Sequence, residues 1–349
     1  MKIRLFLYVA LTFAAAACGG SSNDNVFGVR TRLDAKPELC SVNGSLLELE
    51  GEAPIGIISM FASDSVLLLK TANPKAVFQM HAFSLEDKSD LGEYIAKGRG
   101  PRELLSPIVK GNFEDGEVYL FDLSLCASYD FNLKKSMANG NTELSQLIKL
   151  PPRTVDAYPF GDGHIAFIPE DKSYTCAVMD AAGAIQKRIS LFPGVSGDAY
   201  FDKLSSACVV NQSSRKLAMA MLMFPQVNIL DIDDEKRMTA AVSAEYRNWQ
   251  KILNSDDDGR QICYTSITQS PYYFMALYFG TSFENWAEGK VIPHVHVFDW
   301  NGHFMYDIIV PENLKTITYN TSTRMLYGAD REDKIYQYDL LGILSEASV

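Results

Sequence analysis

The segment Lys97-Gly98-Arg99-Gly100-Pro101-Arg102-Glu103 is the most concentrated basic and glycine-rich stretch of the chain. Gly98 and Gly100 open backbone conformations closed to other residues, so main-chain amides, Arg99 and Arg102 can converge on an anion beside Glu103. It is not a nucleotide P-loop, because the Gly-Lys-Ser/Thr ending and a following helix are missing. The competing reading is a tight crossing between repeats whose arginines bond neighbouring carbonyls or carboxylates. A second ligand candidate is Trp286, within Ser282-Phe-Glu-Asn-Trp-Ala-Glu-Gly289. An exposed indole beside carboxylates and amides can stack on a sugar ring, or it can cap its own loop. Arg99, Arg102, Glu103 and Trp286 are therefore the residues expected to bind a ligand.

Metal chemistry has two candidates, and neither is complete. His294 and His296 stand two apart on a strand and face the same way. Asn301-Gly302 reads as a two-residue hairpin turn, which pairs Trp300 with His303 and so His296 with Asp307. His303 then lies roughly 20 Å or more from His296, at about 3.3 Å per residue, so a three-histidine zinc site is not expected. Asn254-Ser-Asp-Asp-Asp-Gly259, after a short helical stretch from Ser243 to Leu253, opens like an EF-hand loop. Its twelfth position is Thr265, where a bidentate Glu is required, so a solvated acidic loop is expected and no metal is assigned. Neither Gly-x-Ser-x-Gly nor His-Glu-x-x-His occurs, and no catalytic residue or cofactor is assigned. Paired carboxylates brought together from distant repeats keep a glycan-active hydrolase or lyase as the alternative to a binding protein.

Composition limits what surrounds these groups. Of 349 residues, 47% are hydrophobic and 21% charged, enough apolar surface for a large core. Forty-three acidic against 32 basic residues give a formal charge of -11, and no long Lys/Arg run creates a local positive field, so nucleic acid is not an expected partner.

The first residues give an address. Lys2 and Arg4 precede an uncharged, mostly apolar run from Leu5 to Ala17, too short to cross a bilayer as a helix. Ala15-Ala16-Ala17-Cys18 and the tether Gly19-Gly20-Ser21-Ser22-Asn23 follow. This resembles a bacterial lipobox, with Ala15 where Leu is usual, and the resemblance implies cleavage before Cys18 and its acylation. The competing reading is an ordinary signal peptidase site near Ala17. Loss of Lys2 and Arg4 moves the formal charge from -11 to -13. The other cysteines, Cys40, Cys126, Cys176, Cys208 and Cys263, are spread singly, which argues against structural zinc and a thioredoxin-like centre. Cys126, Cys176 and Cys263 fall in apolar or aromatic runs and are expected to be buried, inert thiols.

Short β-rich runs separated by Gly, Asn, Asp and Ser clusters fill the rest, and helical periodicity is scarce. One alternating strand recurs six times, with Phe83, Phe131, Met179, Leu230, Phe298 and Tyr338 at equivalent positions spaced 48, 48, 51, 68 and 40 apart. A period of about 40–50 residues with several strands per repeat indicates an all-β, six-bladed propeller of four-stranded antiparallel blades. The last repeat has three good strands, with a weak fourth at Ile343-Leu344. Ser45-Leu-Leu-Glu-Leu49 is therefore expected to supply the missing strand and close the ring. The division is a signal peptide over 1–17, a lipidated tether over 18–40 and the propeller over 41–349.

Tyr94-Ile-Ala-Lys-Gly-Arg-Gly-Pro-Arg-Glu103 with Gly116-Glu-Val-Tyr-Leu-Phe-Asp122, and Tyr272-Tyr-Phe-Met-Ala-Leu-Tyr-Phe-Gly280 with Val295-His-Val-Phe-Asp-Trp-Asn-Gly302 and Leu326-Tyr-Gly-Ala-Asp330, add a family likeness. Together they resemble the TolB-like six-bladed propeller lipoproteins of Bacteroides-type bacteria, without the second Gly usual near Arg102. The resemblance covers roughly residues 50–345. It implies the fold and an envelope location, and no reaction, substrate or catalytic residue comes with it. The expectation is a lipoprotein anchored to the cell envelope at the outer membrane, whose ring binds a protein or a glycan.

Overall fold

Val66-Leu-Leu-Leu-Lys70 is an almost unbroken apolar run because its strand buries both faces. The computed structural model describes residues 25–344 except 30, 34–35, 52–53, 112–115, 171–172, 194, 196–201, 244–248 and 255–259. Its strands form six sheets in a ring, a six-bladed β-propeller.

Blade 1 is built from Ile57–Ala62, Val66–Thr71, Phe78–Ser84 and Asp90–Lys97, and blade 2 from Pro107–Val109, Glu117–Asp122, Ala127–Asn132 and Leu144–Lys149. Blade 3 uses Asp156–Phe160, Gly163–Glu170, Ser173–Met179 and Ile185–Ser190, and blade 4 uses Ser206–Asn211, Lys216–Met221, Gln226–Asp231 and Arg237–Ala241. Gln261–Gln269, Tyr273–Ser282, His294–Asp299 and Phe304–Ile309 make blade 5. Leu314–Asn320, Met325–Asp330 and Ile335–Asp339 give blade 6 three strands, and the fourth is Ser45–Leu46 from the far end of the chain. The expected closure is therefore present, whereas Leu344 lies buried in a turn and adds no strand.

The six repeat positions all lie on third strands, and each side chain enters the core shared with the preceding blade. Among the described residues the apolar interior is divided into six such clusters, one per blade interface. In the second strand of blade 1, Leu67 and Leu69 face blade 6 while Val66 and Leu68 face blade 2. Hydroxyls tie innermost strands laterally: Ile317 N donates to Ser266 Oγ, Tyr319 N to Thr268 Oγ1 and Ala62 N to Thr318 Oγ1, at 3.0–3.1 Å.

Three blades exceed the expected four strands. Glu103–Leu104 adds a parallel edge to blade 1, Thr31–Leu33 to blade 4 and Glu38–Ser41 to blade 5. Residues 31–33 and 38–41 thus correct the tether expected through residue 40: this stretch is part of the ring. Its polar composition hid strands that pair on one side only. The chain follows the rims of blades 4, 5 and 6 in turn before entering blade 1.

In an antiparallel meander, loops between second and third strands and crossings between blades gather on one face, here called upper. Two short helices lie there: α2 (Trp249–Asn254), in the second half of the stretch expected to be helical, and α3 (Phe283–Ala287). Helix α1 (Leu133–Asn139) is on the opposite face, capped by the Asn132 side chain, which accepts from Lys135 N, and ended by Gly140 at φ 65°.

Candidate functional site

The crossing from blade 1 to blade 2 folds around a carboxylate of its own. Gly100 N donates to Glu103 Oε2 at 2.8 Å, and Gly98 N donates to the Leu104 carbonyl. A Cβ on Gly98 would lie 1.9 Å from Glu103 Oε2, so a side chain there would displace the carboxylate from Gly100 N. The Gly100 amide expected to meet an external anion is thus occupied by Glu103.

The same crossing forms one wall of a groove of about 390 Å³. Arg99, Gly100, Pro101 and Glu103 face Leu125, Tyr129, Leu144, Gln146 and Lys149, from the second-to-third-strand turn and outer two strands of blade 2. An aromatic ring and apolar side chains lie beside two cations, a carboxylate and an amide. Burial raises the Tyr129 pKa, and nearby Asp122 adds to the effect, so the phenol stays protonated as a hydrogen-bond donor.

The structure brings two of the four expected ligand residues together in this groove, Arg99 and Glu103. Arg102 instead points at Glu143, with 4.0 Å between Nη2 and Oε1 and more than half its side chain exposed. Trp286 is on the opposite side of the ring, in α3 of blade 5. Its ring packs on Phe283 and Phe279 and under the Arg331 guanidinium, 4.9 Å from the ring centroid, while Arg331 donates to the Trp286 and Ala287 carbonyls. That is loop capping. Sequence reading missed Tyr129, Gln146 and Lys149, which reach the groove from the outer two strands of blade 2 without a local motif to mark them.

Carboxylates on or bonded to the innermost strands and their entries serve the scaffold. Asp156 accepts from Lys110 Nζ at 2.8 Å and from the Tyr158 hydroxyl at 2.7 Å. Asp122 accepts from the amides of Leu105, Ser106 and Leu125, and Asp333 from those of Gly56 and Ile57. Lys70, on the second strand of blade 1, has its pKa pushed down to about 8 by burial, with Asp122 acting in the opposite sense.

In blade 5, His296 pairs with Asp307 as expected, and His303 is separate, its Nδ1 2.7 Å from Asp299 Oδ2. His294 Nδ1 lies 2.7 Å from Asp307 Oδ1, and His296 Nε2 lies 3.7 Å from the same oxygen. Burial pushes the His296 pKa down to about 3, so its imidazole is neutral. The hydrogen bond to the Asp307 carboxylate raises the His294 pKa against the effect of burial. Cys176 and Cys263 are buried as expected, but Cys126 is half-buried in a turn at φ 46°, with Sγ donating to the Leu123 carbonyl. Cys18 and the acidic run 255–259 lie outside the described residues.

No protein-family model matches the sequence, and no curated protein matches it. Solved structures do match in fold. One is a member of the DUF4221 family from Bacteroides vulgatus, with a TM-score of 0.54 and 12% identity over 88% of this chain and 97% of that one. Another is a Bacteroides fragilis protein whose name describes it as exported, with a TM-score of 0.52 and 10% identity over 86% and 98%. At such identities the likeness concerns architecture alone.

Proposed function

We propose that this protein is a binding module of the cell envelope, and that the groove between the first blade crossing and blade 2 holds an acidic glycan. One observation carries the reading: Tyr129, Leu125 and Pro101 offer apolar surface for a sugar ring in the same groove as Arg99, Lys149 and Gln146, which can hold carboxylate and hydroxyl groups. The alternative, hydrolysis or elimination by carboxylates in the central cleft, has less support. Asp156, Asp122 and Asp333 already spend their oxygens on a lysine, a tyrosine and backbone amides.

The placement in the envelope rests on the lipobox-like residues before Cys18, on the likeness to TolB-like lipoproteins and on the exported name of one fold neighbour. Calorimetry with uronic-acid oligosaccharides tests the ligand. Saturable binding should weaken at least tenfold in both Arg99→Ala and Tyr129→Ala, whereas Trp286→Ala should leave it unchanged. Equal affinity in the groove variants would overturn the assignment. Capture of a stoichiometric protein through the same groove would move it to a protein partner.

A further inference from the structure

Three potential metal donors meet near the upper rim of blade 5, away from the groove. His294 and His296 project from one side of the third strand, and Asp307 from the fourth strand opposite His296. One ligand atom from each can be chosen so that all lie within 4.8 Å of one another. A tetrahedral ion with bonds of about 2.0–2.2 Å spaces its ligands roughly 3.3–3.5 Å apart. The 2.7 and 3.7 Å separations from Asp307 Oδ1 bracket that value, so small side-chain rotations admit an ion.

The surroundings hold the donors. His294 and His296 are in register with Tyr278 and Ala276 on one side and with Ile309 and Asp307 on the other. Tyr264 Oη is 3.0 Å from His296 Nδ1, and the His296 ring stacks on Tyr278 with centroids 4.3 Å apart. An outer contact of this kind fixes a ligating imidazole and directs its other nitrogen at the metal. A simple ion pair accounts for His294 with Asp307. It leaves unexplained why a buried second imidazole presents Nε2 to the same oxygen at 3.7 Å, beyond hydrogen-bonding distance.

We infer that His294, His296 and Asp307 form a site for a divalent transition-metal ion of the zinc class, with a fourth position open to solvent. Two imidazoles and one carboxylate suit zinc and its first-row neighbours better than magnesium or calcium, which prefer all-oxygen shells. The open position follows from the partial exposure of His294, whose side chain is 37% accessible.

The test uses untagged protein stripped with chelator, then titrated with Zn²⁺ by calorimetry and with Co²⁺ by visible absorption. One equivalent should bind at micromolar or tighter affinity and raise the melting temperature. His294→Ala and, separately, Asp307→Asn should weaken binding at least tenfold and abolish the thermal shift, with His303→Ala unchanged. His294 is at a partly exposed strand end, so its variant should fold, and near-ultraviolet circular dichroism verifies this. Absence of saturable binding, or unchanged affinity in folded His294→Ala, would overturn the site.

Discussion

Lys70 shows what one buried cation does to stability. Its folded pKa of about 8 lies below the ordinary lysine value of 10.5, mainly through burial. Below pH 8 the group is charged in both states, and the folded state bears the desolvation cost. Between about 8 and 10.5 the unfolded chain binds more protons, so stability rises with pH. Lys70→Met should therefore stabilise the protein by about 1–3 kcal/mol at pH 7 and flatten that rise, as chemical denaturation at pH 7 and 9.5 can measure. A variant less stable at pH 7 would refute the desolvation account. Residue-scale reading of the sequence succeeded unevenly. Arg99 and Glu103 were legible because glycine, arginine and carboxylate stand within a few positions, whereas Tyr129 and Lys149 reach the same groove from outer strands whose partners no local pattern announces. Asp307 was correctly paired with His296 although the turn was misread. The loop is one residue longer than expected, and a bulge between Val297 and Phe298 restores the register.

The ring closure depends on a single small residue. A Cβ on Gly44 would lie 2.5 Å from Tyr338 Cε1, and the Tyr338 hydroxyl donates to Glu312 Oε2 at 2.6 Å. Gly44→Ala should push the closing strand off this ring and cost about 1–3 kcal/mol. Hydrogen exchange should localise the loss to residues 45–46 and 335–339; unchanged protection there would show that the strand adjusts freely. A second device recurs in blades 4 and 6 and escaped the sequence reading. Asn211-Gln-Ser-Ser-Arg215 and Asn320-Thr-Ser-Thr-Arg324 each end an innermost strand. In both, the Asn amide donates to a carbonyl of the next blade, Pro271 or Ser63, while its oxygen accepts from the turn. Third strands were legible because each spans five to seven residues and recurs along the chain. The parallel edges are two to four residues long, too short to carry a period.

At the scale of the whole molecule, six cores in a ring mean that no blade has a private interior, which is why 349 residues do not imply several domains. The rim strands bear on the anchor. Thr31 is already fixed to blade 4, so a lipid on Cys18 would hold the ring by that side through a short leash. Cys18→Ala should move the protein from the membrane to the soluble fraction of lysed cells, and its persistence at the membrane would refute lipidation. The rim segment also sets an order of events. Thr31 pairs with Thr239 and Ser45 with Gln337, so these early strands have no strand partners until two hundred or more residues have followed. Contacts so distant along the chain close slowly. During that wait the rim segments 31–33, 38–41 and 45–46 are the unpaired strands, and a chaperone or a second chain has its best opportunity to occupy them.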